Sequence, residues 1–306
     1  MPVKKSKTIW MNGKFVKWDD AKIHVLSHVV HYGSSWFEGI RCYDTKKGSA
    51  IFQLRPHLQR LYDSTKIYHT EIPYKMNELE KVIIKLIKSN NLKSCYIRPV
   101  VYRGYGEMGL NPLNNPVEVA IAVWEWKAYL GEESIKNGIN AGISSWQRLA
   151  PNTIPTMSKA GGNYLSSQLI KIEALENGFA EGIALDAYGN VSEGSGENIF
   201  IVKNGKVYTP SIADAILPGI TRSAVIRILK DEGIDVIETT IPREILMIAN
   251  EVFMTGTAAE ITPVCCINHQ KIDNGKPGPI TKLVQEKFYN IVRNGEDPYG
   301  WLTFID

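Results

Sequence analysis

Lys159 stands in the segment TIPTMSKAGGNYLSSQ, behind a proline-containing approach and ahead of three small residues, Ala160, Gly161 and Gly162. An amine that condenses with an aldehyde has to be uncrowded and able to reach its neutral form, and burial beside a cationic partner lowers a lysine pKa in that direction. The small neighbours leave the room this needs. A solvated surface lysine is the reading that residue type alone favours. Glu193, in the glycine-rich stretch VSEGSGENIF, raises a matching question. A carboxylate buried there is costly unless it faces a cation, and a protonated pyridine nitrogen is such a cation. An exposed loop glutamate is the plainer alternative. In LPGITRSAVIRILKDEG a Pro-Gly turn runs into a helix whose expected N-cap is Thr221, and the amides of the first turn form a site for an anion. A capped helix that binds nothing has the same sequence.

Other chemistries find less support. His24, His28 and His31 fall at i, i+4 and i+7, a spacing that places three metal ligands on one face if the stretch is helical. No carboxylate completes an H-E-x-x-H set, and VLSHVVHYG reads equally well as extended chain. There is no G-x-S-x-G nucleophile elbow, no phosphate loop of the nucleotide-binding type and no dinucleotide fingerprint after a strand. Cys42, Cys95, Cys265 and Cys266 show no paired spacing of the zinc or redox type, and we expect them to be reduced thiols of a cytoplasmic protein.

These residues sit in a chain of 306 residues, 44% hydrophobic and 22% charged, proportions that place it with globular proteins. Thirty-five basic side chains against thirty-two acidic ones leave a formal +3, too small and too evenly spread to suggest a nucleic-acid partner. No apolar run approaches the roughly 18 residues of a membrane span.

The order of elements is uneven. TIWMNGKFVKW reads as a hairpin turning at Asn12-Gly13, and FIVKNGKVYTP as another turning at Asn204-Gly205. Helices are expected over about Arg55 to His69 and along the apolar stripe Met76, Leu79, Val82, Ile83, Leu86 and Ile87. Two more are expected from Tyr164 to Asn177, stopped by Gly178, and from Thr221 to Gly233. Strands fit Cys95 to Val101 and Val117 to Trp126, with RGYGEMGLNPLNNP between them as a loop. Hairpins mixed with helices predict an α+β fold. A smaller N-terminal domain of two layers is expected over residues 1–126, a connector over 127–136, and a larger domain over 137–306.

Taken in order, HYGSSWFEGIR, YIRP, EMGLNP, SSWQRLAPNTIPTMSKAGGNY, EGIALD, EGSGENIF, LPGITR and FMTGTAAEITPV resemble the fold-type IV pyridoxal-phosphate enzymes, and within them the branched-chain amino acid aminotransferases. The stretch from Glu193 to Arg222 also fits the family's long signature, with Asn198, Phe200, Thr209, Gly219 and Arg222 at its intervals. The resemblance implies a smaller N-terminal α/β sandwich domain, a larger C-terminal domain, and pyridoxal 5'-phosphate (PLP) at their interface. It makes Lys159 the lysine that forms an imine with the cofactor and shuttles the proton. Glu193 pairs with the pyridine nitrogen, and Tyr164 bonds the phenolic oxygen. Arg60, the backbone of Gly219, Ile220 and Thr221, and Thr257 hold the phosphate, while Leu217 packs on the ring.

For the substrate, the resemblance implies a box of Phe37, Gly39, Tyr96, Trp126, Tyr129 and Tyr164, with Tyr32 and Leu110 reaching in from a neighbouring subunit of a homodimer or higher homo-oligomer. The Thr257-Ala258 turn takes the α-carboxylate, and Arg98 meets the distal carboxylate of glutamate. The implied reaction moves the amino group between leucine, isoleucine or valine and 2-oxoglutarate in two alternating half-reactions, with amino acids and 2-keto acids as partners. RGYGEM, residues 103–108, adds charge where substrate selection is expected, which could alter the donor or acceptor range. The same fold serves D-amino acid aminotransferases, (R)-selective amine transaminases and aminodeoxychorismate lyase, from which YIRP sets this chain apart. A non-catalytic small-molecule binding protein is the reading from another class.

Overall fold

The computed structural model describes residues 3–126 and 131–305. In chain order the first elements are β1 (Thr8–Met11), β2 (Lys14–Lys17), α1 (His28–Tyr32), β3 (Ser35–Phe37), β4 (Ile40–Thr45) and β5 (Gly48–Phe52). Then come α2 (Leu54–Ile67), α3 (Met76–Ser89), β6 (Cys95–Arg103) and β7 (Val117–Trp124). After the undescribed stretch follow α4 (Glu132–Asn137), β8 (Ile139–Ile143), α5 (Tyr164–Glu176), β9 (Glu181–Leu185), β10 (Val191–Gly194), β11 (Asn198–Lys203) and β12 (Lys206–Thr209). The chain closes with α6 (Ile220–Asp231), β13 (Val236–Glu238), α7 (Ile245–Ile248), β14 (Glu251–Gly256), β15 (Glu260–Ile267), β16 (Gln270–Lys271), α8 (Pro279–Asn294) and β17 (Leu302–Phe304). Strands and helices are mixed in the α+β manner.

Two compact units divide the chain. The first is Met1–Lys127 with Ser158–Gly162 and Asn290–Asp306, and the second is Ala128–Met157 with Asn163–Tyr289. The larger domain expected over 137–306 therefore gives up two pieces to the first unit. Residues 158–162 are drawn there by backbone pairing to β3, and the C-terminal piece by β17, which pairs antiparallel with β5. Of the connector expected over 127–136, residues 127–130 lie outside the described residues, and α4 takes up most of the remainder.

In the first unit the strands run in the order β17-β5-β4-β6-β7-β1-β2, with β3 against β6. The β1–β2 hairpin turns at Asn12 and Gly13, both with positive φ, as an Asn-Gly hairpin requires. The α3 stripe is the core face expected of it: Leu79, Ile83, Leu86 and Ile87 are wholly buried, and Met76 and Val82 pack against the same cluster. Glu78 starts this helix by accepting the Lys75 amide at 2.7 Å. Along α2, Leu58, Leu61 and Thr65 are buried in the same way.

The second unit carries the order β10-β9-β8-β15-β14-β11-β12-β13, with β16 against β15. Its β11–β12 hairpin turns at Asn204 and Gly205, again both at positive φ. Phe200 on β11 and Phe253 on β14 stack face to face at 4.9 Å, in register and fully buried. The helix expected to be capped by Thr221 starts earlier, with Gly219 as its N-cap and Thr221 inside the first turn. Pro218 fixes the approach, and the short Gly219 can take the extended backbone of a cap.

Asn90 fastens β1 to α3. Its Oδ1 accepts the amides of Lys7 and Thr8 at 2.8 and 2.9 Å, and its Nδ2 donates to the carbonyls of Thr8 and Leu86 at 3.1 and 2.8 Å. Asn90→Ala strands buried backbone groups and is expected to lower the unfolding free energy by about 2 kcal/mol or more in urea titration. A change of only a few tenths would mean that water replaces these bonds.

Candidate active site

Lys159 is carried on a strap that belongs to the first unit. Its carbonyl accepts the Phe37 amide at 3.1 Å and Ala160 bridges to Trp36, so the strap extends β3's side of the sheet. Ser64 on α2 grips it twice: Ser64 Oγ accepts the Lys159 amide at 2.9 Å, and the Ser64 carbonyl accepts the Ser158 hydroxyl at 3.0 Å. The small residues after Lys159 answer to this packing. A Cβ on Gly161 would overlap Ser35 Oγ, and one on Gly162 would face the Gly33 carbonyl. At Gly161 the lack of a side chain is required by the Ser35 hydroxyl, whereas Gly162 stands at ordinary contact distance.

The Lys159 Nζ lies 5.1 Å from the centre of the Phe37 ring, and the Arg98 guanidinium 4.7 Å from the same ring. Arg98 also faces Tyr96 at 5.4 Å and Trp124 at 5.9 Å. Tyr96 and Arg98 are two apart on β6 and share a face, with Trp124 opposite Tyr96 on β7. Trp126 continues that face, 4.7 Å from Tyr96 ring to ring. A Cβ on Gly39 would overlap the Tyr96 hydroxyl, so glycine is what admits that ring. Of the expected substrate residues, the first unit thus gathers Phe37, Gly39, Tyr96, Arg98 and Trp126 into one cluster, which Lys159 meets at the Phe37 ring. Trp124 joins them unforeseen, although its position two residues before Trp126 puts both on one strand face.

Tyr32 and Leu110 are not part of this group. Tyr32 ends α1 and is 44% exposed, and Leu110 is 88% exposed on the loop after β6. Tyr129 lies outside the described residues.

Arg60, expected at a phosphate, is engaged by a carboxylate that no sequence pattern marked. Glu38, fully buried between β3 and β4, accepts Arg60 Nε at 2.7 Å and Nη2 at 2.9 Å. It also lies 2.8 Å from His57 Nδ1. Burial alone would raise the Glu38 pKa, but Arg60 and His57 hold it well below the usual carboxylate range. Burial keeps the His57 imidazole below its ordinary value despite the pull of Glu38.

In the second unit Glu193 lies on β10, not in a loop, and is 5% exposed. The cation it faces is Arg148, Nη2 to Oε1 at 2.8 Å. Its other oxygen accepts the Asn198 side-chain amide at 3.1 Å and the Leu217 backbone amide at 3.0 Å. Asn198 Nδ2 also donates to the Leu217 carbonyl at 2.9 Å, and a Cβ on Gly219 would overlap Asn198 Oδ1. Glu193, Leu217, Gly219 and the first turn of α6, Ile220 and Thr221, are therefore one fixed piece. The Gly219 cap makes no side-chain hydrogen bond, and Thr221 is 3% exposed. Asn198 pairs with Thr255 on β14, whose next residues beyond Gly256 are Thr257 and Ala258. Tyr164 opens α5 in the same unit. A planar cationic ring with a phosphate tail fits this donor set: a buried carboxylate for the ring, and uncapped helix amides for the tail.

The three histidines of the i, i+4, i+7 spacing are bonded within the chain. His28 is occupied by Ser34 Oγ at 2.7 Å and the Gly109 carbonyl at 2.8 Å, and His31 Nε2 by the Val25 carbonyl at 3.0 Å. His24 Nδ1 accepts the Leu26 amide at 3.1 Å. Arg103, the first residue of the charged stretch 103–108, is 4% exposed and turned into its own loop.

Against known proteins, residues 35–267 match the family described as amino-transferase class IV. The chain belongs to that family. It is 51% identical, over 308 aligned residues covering 100% of each, to the branched-chain-amino-acid aminotransferase of Escherichia coli K12. It is similar to the crystal structure of the E. coli branched-chain amino acid aminotransferase, with a TM-score of 0.97, 50% identity, and coverage of 99% of this chain and 100% of that one. The branched-chain amino acid aminotransferase of Thermobaculum terrenum, solved in its PLP-form, has a TM-score of 0.91, 31% identity and 99% coverage of both chains.

One more buried acid lies behind Glu193. Burial pushes the Glu197 carboxyl up to about 8 from an ordinary 4.5, the Glu181 and Glu193 charges push the same way, and the Gly196 amide and Lys171 oppose. Between those values the folded protein keeps a proton that the unfolded chain has released, so stability falls as pH rises through that window. Glu197→Gln has no proton to lose and is expected to flatten the decline measured by chemical denaturation between about pH 5 and about pH 8. An unchanged slope would mean that Glu197 is ionised in the folded state.

Proposed function

We propose that this chain is a branched-chain-amino-acid aminotransferase that uses pyridoxal 5'-phosphate to exchange amino groups between leucine, isoleucine or valine and 2-oxoglutarate. The observation that carries the reading is Glu193, buried against Arg148 and tied through Asn198 and Leu217 to the uncapped start of α6. Membership of the class IV aminotransferases and the names of the similar proteins support it.

When bound, the cofactor supplies a carbonyl that takes up the amino group and a ring that accepts electrons. Glu193 would hold a proton on the ring nitrogen, and Arg148, at 2.8 Å, fixes where that carboxylate points. The amides from Gly219 to Thr221, with Thr257 and Arg60, orient the phosphate, and Leu217 covers one ring face. Tyr164 donates its hydroxyl to the phenolic oxygen. Lys159 would hold the cofactor covalently, and its free Nζ would carry the proton from the substrate Cα. The strap to β3 and Ser64 limits how far that amine wanders.

The substrate side chain lies against Phe37, Gly39, Tyr96 and Trp126, with Tyr164 and Tyr129 as further walls, the last outside the described residues. Thr257 and Ala258 take the α-carboxylate, and Arg98 takes the distal carboxylate of glutamate. Tyr32 and Leu110, exposed on α1 and on the loop after β6, serve the site of a second copy in a homodimer or larger homo-oligomer. We place the enzyme in the cytoplasm, in branched-chain amino acid biosynthesis; its free cysteines are in keeping with a reducing compartment.

The loaded protein should absorb in the visible, and borohydride should fix the cofactor to the peptide containing Lys159. Lys159→Ala is expected to lose that label and at least about a thousandfold in turnover. Glu193→Gln should keep the cofactor and lose about a hundredfold. Assays pairing L-leucine, D-alanine or an (R)-amine with 2-oxoglutarate decide the substrate: activity on D-alanine alone would overturn the reading, as would a protein that binds no cofactor.

A further inference from the structure

The loop of residues 104–116 joins β6 to β7 and has little regular structure of its own. What holds it is one guanidinium. Arg103 Nη1 donates to the carbonyl of Asn115 at 3.0 Å and of Leu113 at 3.4 Å, the far side of the loop. Arg103 Nη2 donates to Thr70 Oγ at 2.9 Å and to the His69 carbonyl at 3.2 Å, in the segment after α2. No carboxylate of the described residues pairs with this buried cation. Burial lowers its pKa without displacing the charge. Its four bonds are therefore all to groups that the chain's path supplies, and they fix the path. Asn115 closes the loop from inside, Nδ2 to the Glu107 carbonyl at 2.9 Å, and His28 on α1 meets the Gly109 carbonyl at 2.8 Å. Leu110, 88% exposed, follows directly on that last contact.

We propose that Arg103 is a positioning residue for substrate selection: by tying both ends of the 104–116 loop to residues 69–70, it sets where the loop presents Leu110 to the site of a second copy. The inference rests on the functional reading above, in which Leu110 lines that site. A guanidinium suits the task because its donors diverge in a rigid plane and reach two segments at once, which a lysine cannot do.

The test uses the holoenzyme. In Arg103→Met, hydrogen exchange of amides 104–115 should quicken by about tenfold, the worth of one net hydrogen bond. KM for L-leucine should rise by a similar factor of about ten while kcat stays within about twofold, since Lys159 and Glu193 are untouched. KM for L-2-aminobutyrate, whose side chain lacks leucine's two terminal methyl groups, should not move. Arg103→Lys should fall between wild type and Arg103→Met. If Arg103→Met fails to fold, Thr70→Val removes one Arg103 acceptor, together with the hydroxyl's bond to the Tyr68 carbonyl at 3.1 Å, and should move exchange and leucine KM in the same direction, by about threefold. Unchanged exchange would overturn the anchoring. Faster exchange with unchanged leucine KM, or equal rises for both substrates, would overturn the role in selection. Exchange does not depend on turnover, so a wild type inert toward leucine would refute the functional reading separately while anchoring is still decided.

Discussion

A carboxylate taken out of water has to be met by a cation and by donors, and in this protein the way Glu193 meets that condition arranges much of the second unit. Arg148 supplies the charge and is itself held by Ser167 on α5 at 3.3 Å. Asn198 divides its side-chain amide between Glu193 and the Leu217 carbonyl, so the strand that bears Glu193 and the turn that leads to α6 cannot shift independently. The Leu217 amide closes the same circuit. Gly219 is required because the turn passes directly over Asn198. A fixed relation between an acid and a helix start follows from these bonds.

The first unit solves a similar problem with the opposite result. Glu38 is as buried as a group can be, but Arg60 and His57 saturate it. Its effect is to hold the plane of Arg60 and keep β3, β4 and α2 together. The two glutamates differ less in burial than in what surrounds them. Glu193 shares its neighbourhood with Glu181 and Glu197, and that excess of carboxylates is relieved by Lys171, which lies 2.7 Å from Glu181, and by the proton on Glu197.

What sequence made legible was what local pattern determines. Both Asn-Gly hairpins, the α2 and α3 faces and the β6 and β7 strands follow from turn chemistry and from periods of two and 3.6 residues. Glu193 was marked by its context, although its cation was not: Arg148 lies 45 positions away in a stretch without periodicity, and only the folded sheet brings them together. The strap bearing Lys159 was illegible for the same reason. Its grip is Ser64, a residue of ordinary type 95 positions earlier on α2, and no sequence pattern announces a hydroxyl that will accept a distant amide. Arg103's internal role was not legible, because a charge in a loop normally faces water; here the loop takes an internal donor from it.

Arg98 explains how one wall can serve two kinds of side chain. Its guanidinium lies over Phe37 and faces Tyr96 and Trp124, so its flat face is covered by aromatic rings while hydrogen-bond donors stay at its edge. An apolar side chain of the proposed substrates meets mostly ring surface, and the cation is screened by the π faces from the penalty of an unpaired charge. Under the proposed function, the distal carboxylate of glutamate would reach the donor edge instead. A cation placed on a bare apolar wall would repel the first ligand, and a wall without it would reject the second. Stacking the guanidinium on the rings reconciles the two, and it requires the small Gly39 that lets Tyr96 approach.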